Sequence, residues 1–216
     1  MSLNLCAIDN VSVRELSFVE ETFGPFESRR ILAIRNERRR AESVAGLVAL
    51  KEALGGRTAG NIERDELGRP SFVGVDALDF SISHSGDLSI AALIDGPSGR
   101  VGVDIERIDE KKEDTHLRIA QRYFSKEEQA VLEASPVSIE FYKIWTAKEA
   151  KAKLLGVGLS KMLSSENSFE KSDHKFILKH FLLTYKGDRY LLALCVNKND
   201  KLNFICGGNI NIDAIK

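Results

Sequence analysis

Asp104 and Glu106 stand two residues apart in the stretch Val101-Gly102-Val103-Asp104-Ile105-Glu106. Apolar side chains at 101, 103 and 105 recur with period two, the pattern of a half-buried strand. On such a strand both carboxylates leave from one face. Like charges side by side repel, and no Lys or Arg stands beside them on that face within the strand. A cation between them removes the repulsion. Hard carboxylate oxygens suit Mg²⁺, which takes one or two carboxylates and leaves positions for phosphate and water. The plainer alternative is a solvated face whose charge Arg107 and Lys111 dilute.

Other residues carry chemistry that fits an anionic ligand. Glu149 and Lys153 are neighbours on one helix face, although an ordinary surface ion pair has the same spacing. Arg29, Arg30, Arg35, Arg38, Arg39 and Arg40 crowd one segment, with Glu27, Glu37 and Glu42 interspersed. Guanidinium forks match phosphate oxygens; a solvated helix face has the same composition. In Phe80-Ser81-Ile82-Ser83-His84-Ser85-Gly86, Ser81 and Ser83 share a face and His84 sits where a strand turns. A lone His there is ordinarily a surface residue, but flanking hydroxyls can hold a phosphate. Three carboxylates (Asp104, Glu106, Glu149) among phosphate binders (Arg69, Ser83, His84, Lys153) are the equipment of phosphoryl transfer.

These residues need elements to position them. Leu3 to Ile8 reads as a first strand. Val13 to Phe23 has helical spacing and is broken by Gly24-Pro25. Ala41 to Leu54 is a core helix stopped by Gly55-Gly56. Ile62 to Asp76 is turn-rich, with a loop at Leu67-Gly68-Arg69-Pro70. Residues 80–94 form a hairpin. Asp95 to Gly99 is the boundary between an N-terminal half, 1–99, and a C-terminal half, 100–216. Asp109 to Phe124 is charged and helical. Ser125 and Glu128 make a capping box that opens a helix to about Ala134, ended by Ser135-Pro136. Glu140 to Leu155 is the strongest helical pattern, stopped by Gly156 and Gly158. Lys175–Thr184 and Arg189–Val196 flank a hairpin turn, and Asn203–Ile212 reads as one final strand. Helix then hairpin recurs in both halves.

Composition limits the rest. Lys+Arg is 31 and Asp+Glu 32 in 216 residues, for a formal net charge of −1, which argues against a general nucleic-acid binder. No apolar run spans a bilayer, and residues 1–10 do not read as a signal peptide. Cys6, Cys195 and Cys206 lie in apolar surroundings with no Cys-x-x-Cys spacing, as buried thiols in a reducing cytoplasm do. The four histidines, His84, His116, His174 and His180, show no metal-ligand spacing.

Gly68-Arg69-Pro70, Phe80 to Ser85, Val101 to Glu106, Phe124-Ser125-x-x-Glu128 and Trp145-Thr146-Ala147-Lys148-Glu149-Ala150-x-x-Lys153 occur in that order. The set resembles the 4′-phosphopantetheinyl transferase superfamily, in its larger, surfactin-synthetase-activating (Sfp-like) class. The resemblance is specific over about residues 68 to 160, looser before and faint beyond 165. It implies an α+β fold of two similar α/β halves, pseudo-two-fold related, with the active site between them. It implies transfer of 4′-phosphopantetheine from coenzyme A to a serine of an apo acyl or peptidyl carrier protein, with Mg²⁺ and release of 3′,5′-ADP. Asp104, Glu106 and Glu149 match the metal-binding acids, and Glu149 is also a candidate base, directly or through water. Lys153 matches the lysine near the pyrophosphate. Ser83 and His84 match residues around the 3′-phosphate and pyrophosphate, and Arg69 a contact to the adenosine end. Arg30 and Ser43 match further phosphate and nucleotide contacts. The expected protein is a cytoplasmic monomer with no nucleic-acid or membrane partner. A Mg²⁺-dependent phosphoester or pyrophosphate hydrolase, and a non-catalytic module binding coenzyme A or a carrier protein, remain as alternatives.

Overall fold

The computed structural model describes residues 2–10, 17–96, 99–134, 137–158, 176–197, 201–206 and 211–215, with backbone alone for 137–138, 201–206 and 211–215. The expected helix start at Val13, the Ser135-Pro136 stop, Pro97-Ser98 of the boundary loop, His174, Lys175 and the Cys206 side chain lie outside that description.

The elements are β1 (Ser2–Asp9), α1 (Ser17–Phe23), α2 (Pro25–Leu32), α3 (Glu37–Leu54), β2 (Ile62–Arg64), β3 (Pro70–Phe72), β4 (Leu78–Ser85), β5 (Leu88–Asp95), β6 (Val101–Arg107), α4 (Glu113–Tyr123), α5 (Lys126–Ala134), α6 (Val137–Leu155), β7 (Ile177–Tyr185), β8 (Asp188–Val196), β9 (Lys201–Cys206) and β10 (Asn211–Ile215). α3 begins four residues before the expected Ala41, because Asn36 caps it: its Oδ1 accepts the Arg39 N–H at 2.9 Å. Gly55 ends it at φ 60°, the left-handed stop that glycine adopts at least cost. The Ser125–Glu128 capping box is made reciprocally, at 2.8 and 3.2 Å.

Two four-stranded sheets result, ordered β4-β5-β1-β9 and β10-β7-β8-β6. The expected single strand over 203–212 is instead two: β9 pairs in parallel with β1, and β10 antiparallel with β7. One core is shared by both sheets, with Leu5, Ile90 and Ala92 of the first against Val103, Ile105 and Leu192 of the second. α3 covers the far face of the first sheet through Leu47 and Leu50, and α6 packs Ala150 and Leu154 on Ala193 and Cys195 of β8.

The sheets also meet along a side-chain zipper. β6 is an edge strand, and its alternate N–H groups would go unsatisfied there. Asp79, Ser81, Ser83 and Ser85 on β4 accept them: Val101 N–H at 2.9 Å, Val103 at 3.1 Å, Ile105 at 3.4 Å and Arg107 at 3.0 Å. The alternating hydroxyls that looked like phosphate ligands thus first satisfy a strand edge.

Among the described residues, no helix is long and apolar enough to cross a membrane. Cys6 and Cys195 are buried thiols, and burial pushes the Cys195 thiol up to about 11, which leaves it unreactive.

Candidate active site

The zipper sets the positions of the β6 acids, and α6 brings the other half of the cluster. α6 approaches β6 closely because Gly102 has no side chain. A Cβ at Gly102 would lie 1.9 Å from the Ala150 carbonyl oxygen and 2.6 Å from the Leu154 nitrogen. Any larger residue would lift the helix, and with it Glu149 and Lys153.

Asp104 is 3% exposed, so the solvated-face alternative fails for it. Its Oδ1 accepts from Lys153 Nζ and from Ser83 Oγ, each at 2.7 Å. Lys153 Nζ also donates to Ser83 Oγ at 2.9 Å and to the Val103 carbonyl at 3.1 Å. Its three donors are thereby occupied. The second carboxylate oxygen of Asp104, Oδ2, is buried without a partner. An unsatisfied buried carboxylate oxygen is costly, and in a native site it calls for an explanation.

The neighbouring acids feel the same deficit of positive charge. Ser85 Oγ donates to Glu106 Oε2 at 2.8 Å, yet burial and the Asp104 charge hold the Glu106 carboxyl above its ordinary range. Burial, helped by Asp104 and Glu106 and opposed by Lys153, pushes Glu149 up to about 7. Among the described residues no group of three His, Cys, Asp or Glu side chains is gathered into a ready-made metal cage. Lys153 supplies, from another element, the positive charge that β6 itself lacks. The bare Asp104 oxygen and the two raised carboxyls, though not gathered around one point, are oxygen donors short of positive charge. That chemistry fits a hard divalent cation.

Beside this cluster opens a pocket of about 330 Å³, lined from both sides by Arg30, Ser43, Arg69, His84 and Lys153. Five of the residues expected to contact a nucleotide thus meet in one place. Ser83 is not in the lining; it ties Asp104 to Lys153. Arg69 is already engaged. Its Nη2 is forked on Asp79 at 2.8 and 2.9 Å, and its Nε donates to the Lys153 carbonyl at 2.9 Å. It therefore joins the 65–69 turn to the end of α6. Asp65 builds that turn by accepting the Leu67 and Arg69 N–H groups at 2.9 and 2.8 Å. His84 Nδ1 lies 3.4 Å from Glu42 Oε2, and burial holds its imidazole below the usual histidine range.

Glu27 and Arg64 line the pocket too and were not foreseen as site residues. The Glu27 side chain is fully buried, with Arg30 Nη2 at 2.7 Å and Arg64 Nη2 at 2.9 Å. Burial would raise Glu27, but the two guanidinium groups outweigh it and hold the carboxyl below the ordinary range. Two cations on one anion leave the pocket wall positive. The Glu27-x-x-Arg30 spacing was the available signal; Arg64, far along the chain, offered none.

Comparison with known proteins adds a family to this geometry. The family model described as the 4′-phosphopantetheinyl transferase superfamily matches residues 100–195. The 4′-phosphopantetheinyl transferase psf-1 of Bacillus pumilus is 34% identical over 147 residues, covering 63% of this chain and 60% of that protein. The 4′-phosphopantetheinyl transferase Sfp of Bacillus subtilis strain 168 is 38% identical over 146 residues, 62% of each chain. The 4′-phosphopantetheinyl transferase AcpT of Salmonella typhi is 36% identical over 133 residues, 60% of this chain and 66% of that one. The match thus spans less than two thirds of these relatives' lengths. Its family-model part holds β6, α6 and all three acids. By these similarities residues 100–195 match the 4′-phosphopantetheinyl transferase superfamily, and the chain is similar to Sfp-like members of it.

Proposed function

We propose that the pocket takes coenzyme A and that the chain transfers its 4′-phosphopantetheine arm to a serine of an apo acyl or peptidyl carrier protein, releasing 3′,5′-ADP. One observation carries the reading. Asp104 is buried, one oxygen held by Lys153 and Ser83 and the other bare, beside a pocket walled by arginines. The similarity to relatives named as phosphopantetheinyl transferases supports it.

In this reading Arg30, Ser43, Arg69 and His84 contact the nucleotide and its phosphates, and Lys153 exchanges one of its three present contacts for a pyrophosphate oxygen. Asp104, Glu106 and Glu149 would hold Mg²⁺, which when bound offsets the negative charge of the pyrophosphate. Burial and the neighbouring acids raise the Glu149 carboxyl to about 7 without a cation, which suits it to accept a proton. It takes the carrier serine's hydroxyl proton, directly or through a water. The serine oxygen forms a bond to the phosphorus that bears the pantetheine arm. The P–O bond to the nucleotide breaks, and its electron pair leaves on 3′,5′-ADP. Lys153 stays beside the departing oxygens.

Residues 1–99 and 100–216 are read as two similar α/β halves related by a pseudo-two-fold, with β9 crossing back to the first. The pairing of α3 with β4-β5 and of α6 with β7-β8 supports this. The chain is read as a cytoplasmic monomer without nucleic-acid or membrane partners, in keeping with its near-zero net charge.

The test is incubation with coenzyme A, Mg²⁺ and several apo carrier proteins, read by intact mass. A carrier that gains one phosphopantetheine is expected. Coenzyme A split with the arm left in water would point to a hydrolase, and coenzyme A bound but unchanged with every carrier to a binding module.

A further inference from the structure

Glu42 takes no part in the chemistry above, yet it is 8% exposed and faces the pocket's histidine. It sits on α3 one turn after Arg38, whose Nε donates to its Oε1 at 3.0 Å. Its other oxygen lies 3.4 Å from His84 Nδ1. Arg38 reaches further, donating from Nη2 to the Gly86 carbonyl at 3.3 Å, in the turn that follows His84. That turn is fixed from the other side. Asn10 Nδ2 donates to the same Gly86 carbonyl at 3.2 Å, and the Asp87 N–H donates to Tyr190 Oη at 3.3 Å. Gly86 takes φ +57°, and a Cβ there would stand 2.9 Å from Tyr190 Oη. The backbone under His84 is therefore held, and one ring nitrogen faces a carboxylate. The ring lines the pocket with Ser43 and Lys153.

We propose that Glu42 is the positioning residue of His84: it accepts from Nδ1–H, so that the protonated ring turns Nε2–H as a donor toward a phosphate in the pocket, while Arg38 holds Glu42. The inference rests on the coenzyme A reading of that pocket. A carboxylate on one imidazole nitrogen fixes the tautomer and the ring plane. It also makes the doubly protonated ring, with Nε2–H as donor, less costly. The charges that act on His84 are mixed. Glu42 and Asp104 favour its protonation, while Lys153 and Arg39 oppose it alongside burial. Without Glu42 the ring would face mainly the opposing set, and nothing would hold Nδ1–H in place.

The experiment is a double-mutant cycle on coenzyme A binding, read by calorimetry with the wild type, Glu42→Ala, His84→Ala and the double variant. Glu42→Ala should weaken binding about ten-fold and raise the KM for coenzyme A while leaving kcat near its starting value, the signature of lost uniform binding. In the His84→Ala background the same change should do almost nothing. Glu42→Asp should recover part of the loss. An equal loss in both backgrounds overturns the positioning role and leaves the coenzyme A reading intact. A His84→Ala protein that binds as the wild type does overturns the His84 contact itself. Ring-nitrogen NMR of His84 in the unmodified protein gives an arm independent of any variant's folding. It should show Nδ1 protonated before coenzyme A is added, and a neutral ring protonated at Nε2 alone would refute the proposal.

Discussion

Two of the lysines on helix α6, Lys148 and Lys153, each stand beside a buried carboxylate, and the two pairs differ in how far they open to the pocket. Lys148 is fully buried, its Nζ 2.9 Å from Glu128 Oε2 and 5.5 Å from the centre of the Phe124 ring. Glu128 also accepts the Ser125 N–H that opens α5. This pair is closed to solvent and ties α5 to α6 by charge, although the Lys148 ammonium makes no well-aligned hydrogen bond. The Lys153 side chain keeps 31% of its surface exposed and stands at the pocket. Its partner Asp104 retains a bare oxygen, and two further acids crowd the same region. The same two residue types, a few residues apart on one helix, make a fastening in one place and a reactive deficit in the other. Burial decides which: Lys148 and Glu128 are both closed to solvent, whereas Lys153 stands open at the pocket.

The comparison is broken most severely at the fastening. Lys148→Met leaves the Glu128 charge buried without its cation, and should cost about 3–5 kcal/mol in urea unfolding. Adding Glu128→Gln should return most of that loss; a Lys148→Met protein as stable as wild type would mean that the pair fastens nothing. At the open pair the large effect moves from stability to turnover. Asp104→Ala should slow transfer to an apo carrier protein at least about a hundred-fold, ~2.7 kcal/mol of barrier. Its fold should persist by circular dichroism. Wild type in excess EDTA should be slowed comparably, and full activity in both would remove the metal reading.

A pH series sharpens the contrast further. Glu149 is raised from 4.5 to about 7, so between those values the folded protein binds a proton that the unfolded chain has released. This contribution to stability is complete below the unfolded value and is lost as pH rises through the folded one. Metal-free wild type should therefore lose urea stability between about pH 5 and about pH 8, and Glu149→Gln should lose visibly less. Parallel curves for the two proteins would show that Glu149 titrates normally. The smallest effect belongs to the zipper. Ser81→Ala removes the acceptor of the Val103 N–H and should cost about 1 kcal/mol. Amide exchange should quicken at Val103.

The local half of this arrangement was legible beforehand. Period two marked β6 and the 80–94 hairpin, period 3.6 marked α6, and Ser125-x-x-Glu128 marked the start of α5, because each is a short-range rule read off neighbours. Long-range pairing was not. Ser81 and Ser83 were correctly placed on one face of β4, but nothing nearby says that this face meets the edge of β6. Glu42 looked like one more solvated charge, since its partner His84 lies on another element. Arg64 gave no sign of Glu27 for the same reason. The tail was read as one strand because apolar alternation cannot say which sheet a strand joins.

β9 carries a consequence of its own. β1 is flanked by β5 on one side and by β9 on the other, with Ser2 opposite Lys201 and Ala7 opposite Cys206. β1 thus receives its second neighbour only after every element from α1 to β8 has been made. Until then one edge of β1 stands open, a row of unpaired backbone groups able to pair with another nascent chain. Order of emergence and order of assembly are opposed in this topology. The first sheet therefore cannot be completed by the first half of the polypeptide working alone.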